Sequence, residues 1–386
     1  MGKRVKRNIV LISNFFLIPL CLLASLLLRV KRKVIDIGIG PMPMINNVYF
    51  KKALVRKGYS AETFSYAAYF ITEEFDYIVD LKTHLFYLLF PILFDIRIIS
   101  RYKCVYLYFN GAALMKLPRL QWIEPFLFRI AGTKIVVMPY GSDCQCFMGA
   151  PNKLTVNALC KDYPQFFKYG QLDVKNNMIR WTKYADIVVG AMDSVDYMYY
   201  WDRLRFCHYA IDTDQITPHP LKSKGDIIRI LHAPNHKEIK GTKYVVQAIE
   251  QLKTEGYNIE FVFVQGVSNK KMIELIQSVD IVVDQLIMGC YAMFAMESMA
   301  CGKPTICYIR DDLKFLFENT GCIEPNELPL ISATPTTIKN TLKSLIDNRG
   351  SWVDISRKSR EYVEKYHSLD AIGEFYDEIN KTVFNA

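Results

Sequence analysis

A short basic segment, residues 232–242, has the residue types and spacing of a phosphate-binding loop. It follows a predicted strand at 227–231 and opens a predicted helix. Lys237 and Lys240 supply positive charge, and Gly241 allows a ligand to approach the backbone closely. The free N–H groups at the start of the helix would add a partial positive charge. The segment therefore predicts an anion site, and a solvated basic loop is the alternative interpretation.

A second segment, residues 284–304, places carboxylates after another predicted strand. Asp284 lies at the end of this strand, a loop containing Gly289 follows, and Glu297 then enters a helix otherwise rich in Met and Ala. Burial of a carboxylate in so apolar a helix is costly unless hydrogen-bond donors surround it. Ribose hydroxyls would be suitable donors. The alternative is that Glu297 faces solvent.

Two loops in the first half of the chain are further candidates. Gly40 belongs to the Gly/Pro segment 38–43 after the first predicted strand, and Asp143 ends the run Tyr-Gly-Ser-Asp. The Gly/Pro segment lacks the third glycine of a dinucleotide-binding fingerprint. Asp212 and Asp214 have the DxD spacing of a metal site, but they fall in a predicted connector rather than after a strand. We therefore predict no metal and no cofactor.

Short strands and helices alternate along the chain in two series. The first series starts after residue 33, and the second starts after a break near residues 215–222. This alternation is typical of parallel sheets covered by helices. We expect two Rossmann-like α/β domains, at 34–218 and 219–365, facing each other across a cleft. A C-terminal helix at 366–386 should pack back towards the first domain, and ligands should bind at the carboxyl ends of the strands.

The net charge of +9 lies almost wholly at the N-terminus, because residues 1–33 carry eight Lys and Arg and no acid. Without these eight, the body has 40 basic against 39 acidic residues, which argues against nucleic acid as a partner. Between the basic clusters, residues 9–28 form an uncharged run long enough to cross a bilayer. We predict a membrane anchor at 1–33 in contact with lipids. A signal peptide and a helix lying in the interface are alternatives.

The segment 232–308 resembles the donor-binding half of GT-B glycosyltransferases, specifically the retaining family 4 type. The similarity is carried by the Lys-Gly pair that opens a helix, by Gln265-Gly266, and by the run Glu-Ser-Met-Ala-Cys-Gly-Lys-Pro from Glu297. Upstream, the Tyr-Gly-Ser-Asp loop is similar to the family's His-Gly-Ser-Asp loop. The resemblance covers about residues 34–380, and it is specific in the second half.

This resemblance implies roles for individual residues. Lys237 and Lys240 would bind the donor diphosphate, and Glu297 would bind the ribose. Asp143 would face the acceptor hydroxyl, and Lys240 would stabilise the leaving diphosphate, so we assign these two as catalytic. The predicted donor-binding set is Gly40, Lys237, Lys240, Gly241, Gly266, Asp284, Gln285, Gly289 and Glu297.

The resemblance also implies a reaction. We expect metal-independent transfer of a sugar, with retention, from a nucleotide diphosphate sugar. The predicted anchor adds a membrane-associated, lipid-linked saccharide as the expected acceptor. Nucleotide sugars are made in the cytosol, so the catalytic domains should face the cytoplasm. Two positions depart from the family: Gly289 stands where a glutamate often contacts the transferred sugar, and Tyr140 replaces a histidine. These departures leave a non-catalytic decayed transferase as an alternative, and a nucleotide-sugar epimerase of the same fold is another.

Overall fold

A computed structural model describes residues 3–31, 33–67, 72–79, 86–117, 120–165, 171–219 and 227–385. Its first sheet has seven strands in the order β3-β2-β1-β4-β5-β6-β7, and every paired strand is parallel to its neighbour. The strands are Ile35–Ile39 (β1), Ala61–Ser65 (β2), Tyr77–Ile78 (β3), Tyr102–Tyr108 (β4), Lys134–Met138 (β5), Ile187–Ala191 (β6) and Arg203–Arg205 (β7). The central strands are almost continuously buried, as expected for a parallel sheet covered on both faces.

The second sheet has four parallel strands in the order β11-β10-β8-β9. They are Ile228–His232 (β8), Ile259–Phe263 (β9), Ile281–Val283 (β10) and Thr305–Ile306 (β11). The prediction of two α/β units built on parallel sheets is confirmed. The predicted break near residues 215–222 lies partly outside the described residues.

Helices cover the faces of both sheets. Those of the first half are Lys3–Arg29 (α1), Ile45–Arg56 (α2), Phe86–Arg101 (α3), Glu124–Ile130 (α4), Lys153–Asp162 (α5) and Gln171–Tyr184 (α6). Those of the second half are Lys237–Lys240 (α7), Thr242–Thr254 (α8), Asn269–Ser278 (α9), Met293–Ala300 (α10), Asp311–Asn319 (α11), Ile338–Asp347 (α12), Trp352–His367 (α13) and Leu369–Asn385 (α14). In α8, the apolar positions at helical spacing are buried against the sheet, as the sequence pattern indicates.

The last helix returns to the first sheet. α14 packs against α2, and the phenol of Tyr106 in β4 donates to Asn380 over 2.8 Å. Where α13 gives way to α14, the carbonyl of His367 accepts from the N–H of Ile211 over 2.7 Å. Ile211 lies in the segment that leads from the first sheet to the second, and His367 lies where the chain returns to the first domain. The two segments that run between the domains are therefore hydrogen-bonded to each other.

The N-terminal helix does not behave as the predicted anchor. Among the described residues, no helix is long and apolar enough to cross a membrane. α1 instead packs one face against α3 and α4, where Cys21 and Ser25 are buried. An apolar helix can pack against other helices just as it can cross a bilayer. The predicted transmembrane anchor, and with it the membrane-anchored localisation with catalytic domains facing the cytoplasm, is therefore wrong.

Candidate active site

The two loops predicted to bind the donor meet at the carboxyl edge of the second sheet. Lys240, at the end of α7, donates a charge-assisted hydrogen bond to Asp284, which follows β10. The N–H of Leu286 donates to the carbonyl of Lys240 over 3.3 Å, so the backbones of the loops are joined as well. Asp284 is 2% exposed. Because a buried carboxylate is costly without a partner, the Lys240 cation stabilises the fold of this edge.

Gly241 and His232 explain how the basic loop packs against the sheet. Gly241 has a φ of 70°, and a Cβ there would lie 3.2 Å from Cβ of Leu286. Glycine adopts this backbone without strain and lets the loops approach. Below them, burial lowers the pKa of His232 to about 4, so its ring is neutral. Its Nδ1 lies 2.8 Å from the carbonyl of Val283, and its Nε2 lies 3.0 Å from the Thr242 hydroxyl.

Lys237 contacts a different group from Lys240. Its Nζ lies 5.6 Å from the centre of the Phe263 ring, at the end of β9, in a cation–π arrangement. The loop after β9 is joined to the basic loop, since Nε2 of Gln265 donates to the carbonyl of Pro234 over 2.7 Å. Gly266 follows with a φ of 68° and open space where a Cβ would stand. The predicted Lys237, Lys240 and Gly266 thus surround one end of the second sheet.

Glu297 is a buried carboxylate, so the alternative in which it faces solvent is wrong. It is 4% exposed in α10, and it accepts from Nδ2 of Asn269 over 2.5 Å. Burial raises the pKa of Glu297 to about 7; the bond from Asn269 opposes this rise, and the negative charge of Asp284 adds to it. Burial, followed by the charge of Glu297, also raises the pKa of Tyr49 in α2. Glu297 is thus a buried carboxylate of α10, held by Asn269 at the start of α9.

Gln285 and Gly289 shape the loop that follows β10. The side chain of Gln285 accepts from the N–H groups of Ile287 and Met288 at 3.0 and 2.8 Å, and donates to the carbonyl of Cys290 over 2.9 Å. Gln285 is 1% exposed and closes the loop from inside. Gly289 has a φ of 89°, and a Cβ there would lie 2.6 Å from Cδ of Arg310. The structure thus gives both predicted donor-binding residues a role in holding the loop.

Asp143 does not face a cleft. It is fully buried, and its carboxylate accepts from the N–H groups of Phe109, Tyr140 and Gly141 at 2.9–3.1 Å. Burial raises the pKa of Asp143 to about 6, and these backbone bonds oppose the rise. Such a carboxylate fixes its loop, so the predicted contact with an acceptor hydroxyl needs correction. Gly40 packs tightly, because a Cβ there would lie 2.6 Å from the Phe64 ring.

The DxD carboxylates are paired with cations of α2. Asp212 lies 3.3 Å from Nζ of Lys52, and Asp214 lies 2.5 Å from the guanidinium of Arg56. These ion pairs fasten the interdomain connection to α2.

Three residues of this region were not identified from the sequence. Asn269 begins α9 soon after the Gln-Gly pair, and its position at the start of the helix that follows this loop was the available signal. Asn152 and Arg310 contact the loop after β10 from distant parts of the chain. No local spacing indicates a contact between residues so far apart.

No protein-family model matches this sequence, and no curated protein matches it either. Solved structures resemble the fold. Sucrose-phosphate synthase from Thermosynechococcus elongatus aligns at 12% identity over 92% of this chain and 100% of its own, with a TM-score of 0.57. Anabaena HepE in complex with UDP aligns at 10% identity over 91% and 100%, also with a TM-score of 0.57. An alpha-glucosyltransferase in complex with UDP and a 13-mer DNA gives the same four values as HepE.

These likenesses, at such low identity, establish the fold. The chain has the GT-B fold, in which two α/β domains with parallel sheets face each other. Activity has to be argued from the site, since one fold can host different chemistries.

Proposed function

We propose that the protein is a glycosyltransferase that uses a nucleoside diphosphate sugar as donor. The observation that carries this proposal is a set of two pairs at the carboxyl edge of the second sheet, in which Lys240 holds the buried Asp284 and Asn269 holds the buried Glu297. A lysine beside a cleft suits a diphosphate, and a buried carboxylate with an amide beside it suits ribose hydroxyls. Two of the solved structures with this fold contain UDP, which supports a uridine nucleotide.

Lys240 can serve both the fold and the reaction. An ammonium group has three N–H donors, so Lys240 can keep its bond to Asp284 and still donate to a phosphate oxygen. Its charge would then stabilise the negative charge that develops on the leaving diphosphate. Phe263, below Lys237, offers an aromatic face near the same edge.

We propose metal-independent transfer with retention of the anomeric configuration. The bond between the anomeric carbon and the phosphate oxygen breaks, and a bond from the acceptor oxygen forms on the same face. The proton of the acceptor hydroxyl passes to the leaving phosphate oxygen. The binding of Asp143 to three backbone N–H groups supports this route, because that carboxylate is not free to act as a base.

For the acceptor, we propose a saccharide linked to a lipid. The supporting observation is a stripe of exposed apolar side chains on α1, formed by Phe16, Leu20, Leu23 and Leu27. These positions repeat every three or four residues and share one face of the helix. Such a surface on the first domain would bind the apolar part of an acceptor.

The test is product analysis of the purified full chain with a panel of UDP sugars and a lipid-linked saccharide. Transfer predicts free UDP and a new glycosidic bond, whose configuration is measured by NMR. A nucleotide-sugar epimerase would instead yield a new sugar still attached to UDP. A decayed transferase would bind UDP and form no product. Either of the last two results contradicts the proposal.

A further inference from the structure

The first domain holds the loop that follows β10 in the second domain. Nδ2 of Asn152, just before α5, donates to the carbonyl of Ile287 over 2.9 Å and to that of Met288 over 3.1 Å. The hydroxyl of Thr155, in the first turn of α5, donates to the same Ile287 carbonyl over 3.1 Å. Three hydrogen bonds from one short segment thus end on two consecutive carbonyl groups.

A second contact between the domains supports the next residue of the loop. The side chain of Arg310 fills the space beside Gly289, and the backbone N–H of Arg310 donates to the carbonyl of Gly289 over 2.9 Å. The guanidinium of Arg310 pairs with Asp196 of the first domain, where the two side chains are 7% and 10% exposed. A buried pair of this kind requires a defined geometry, because both charges have lost their water.

These contacts explain how the loop keeps its shape. From inside the loop, the side-chain oxygen of Gln285 accepts hydrogen bonds from the N–H groups of Ile287 and Met288. The carbonyl groups of the same two residues point outward and are satisfied by Asn152. The outer bonds join one domain to the other, so they require the two domains to be in contact.

We propose that Asn152 is a positioning residue of the donor site, and that it fixes the loop 284–292 in its binding shape when the domains close. Arg310, paired with Asp196, supports Gly289 in the same way. This inference rests on the proposed function, because it takes the loop to face the donor sugar. Lys240 and Glu297 lie within the second domain and would hold the nucleotide in either state.

The chain offers a variant that separates this role from a structural one. Oδ1 of Asn152 caps α5 by accepting from the N–H of Thr155 over 3.1 Å. Asn152→Asp keeps this cap, since aspartate is an equally good N-cap. It replaces the amide donor by an oxygen that repels the carbonyls of Ile287 and Met288. Asn157→Asp is the control, because it adds the same charge at an exposed position of the same helix.

The first measurement is hydrogen exchange of the backbone amides of residues 286–290 in the full chain without ligand. Asn152→Asp should speed their exchange about tenfold or more, because the loop loses the two hydrogen bonds that hold its carbonyl groups. Asn157→Asp should leave exchange as in the wild type. Thr155→Val removes one bond without adding charge, so it should act in the same direction with a smaller effect.

The second measurement separates the nucleotide from the sugar. The dissociation constant of UDP for Asn152→Asp should stay within about twofold of the wild type, while kcat for transfer falls about tenfold. The reason is that the loop is assigned to positioning the donor sugar, which UDP lacks. Unchanged amide exchange in Asn152→Asp would overturn the proposal, and so would an equal change in Asn157→Asp. If exchange changes as expected but the wild type binds no UDP, the proposed function fails and the positioning of the loop stands.

Discussion

Lys240 and Asp284 form an ion pair that joins the two loops of the candidate donor site. The side chain of Asp284 is 1% exposed, and that of Lys240 is 19% exposed. Lys240, which the sequence predicts to bind the donor diphosphate, is therefore already engaged with a buried carboxylate. Binding and folding use the same cation, and substitutions here should affect both.

Lys240→Met should lower the free energy of unfolding by about 2–3 kcal/mol, because Asp284 is left buried without its cation. Adding Asp284→Asn should recover part of the loss, since the unpaired charge is removed. Urea denaturation of the wild type, the two single variants and the double variant gives the coupling energy. A stability of Lys240→Met equal to that of the wild type would contradict the structural role of the pair.

Glu297→Gln should weaken UDP binding by about 1.5–3 kcal/mol, the usual value for hydrogen bonds to a charged group. Uridine should show the same loss as UDP, because the carboxylate is assigned to the ribose. Glu274→Gln, an exposed carboxylate on α9, is the control and should bind UDP as the wild type does. Calorimetry measures all three proteins. Equal affinities in Glu297→Gln and Glu274→Gln would place Glu297 outside the site.

The pH dependence of stability should reveal the buried state of Glu297. Burial raises its pKa from 4.5 to about 7. Between these values the folded protein holds a proton that the unfolded chain has released, so the free energy of unfolding should fall as the pH rises towards 7. Glu297→Gln should make this fall smaller. Denaturation at several pH values checks the difference, and parallel curves for the two proteins would contradict the assignment.

UDP affinity should change with pH in the opposite sense. The carboxylate form of Glu297 accepts from both ribose hydroxyls more strongly than the neutral acid does. Affinity should therefore rise from about pH 6 to pH 8, on either side of its pKa of about 7. In Glu297→Gln this part of the rise should disappear. Calorimetry in buffers of matched ionic strength measures both proteins.

Gly289→Ala tests the packing of Arg310 against the loop. The added methyl would meet the Arg310 side chain, with Cδ at 2.6 Å, in a backbone with a φ of 89°. Gly256→Ala is a matched control, because Gly256 has a φ of 94° and nothing within 4 Å of a Cβ. Both should pay about 1 kcal/mol or more of backbone strain. Gly289→Ala should lose about 1–3 kcal/mol more of its free energy of unfolding through overpacking. Equal losses in the two variants would show that the Arg310 side chain moves aside without cost.

The regular parts of the fold were predictable because their signals are local. The alternation of short apolar strands with amphipathic helices indicates both sheets, and the apolar surroundings of Glu297 indicate its burial. Contacts between distant residues leave no such pattern. Asn152 and Ile287 are 135 positions apart, so no spacing indicates their hydrogen bond.

Function-like motifs can also have structural uses that spacing does not reveal. Asp143 has the sequence context of a catalytic residue, but it satisfies backbone N–H groups within its own loop. The apolar run of α1 has the length of an anchor and still packs one face on α3 and α4. Composition does not separate an apolar helix that crosses a bilayer from one that docks on a domain.

The other face of α1 gives the last prediction, which concerns the proposed lipid-linked acceptor. Phe16 is 74% exposed and Leu20 is 58% exposed, and both lie in the apolar stripe of this helix. Burying such a side chain against a lipid contributes about 1.5–3 kcal/mol. The double variant Phe16→Ser, Leu20→Ser should therefore raise KM for a lipid-linked saccharide about tenfold or more.

The same double variant should keep wild-type kinetics on a water-soluble acceptor with the identical saccharide, because the stripe would contact only the lipid part. Phe315→Ser is the matched control, since Phe315 is a similarly exposed phenylalanine, at 67%, on α11 of the second domain. It should leave KM unchanged for both acceptors. Steady-state rates with the two acceptors, at saturating donor, measure the contrast. If the double variant has the wild-type KM for both acceptors, α1 gives no support to a lipid-linked acceptor.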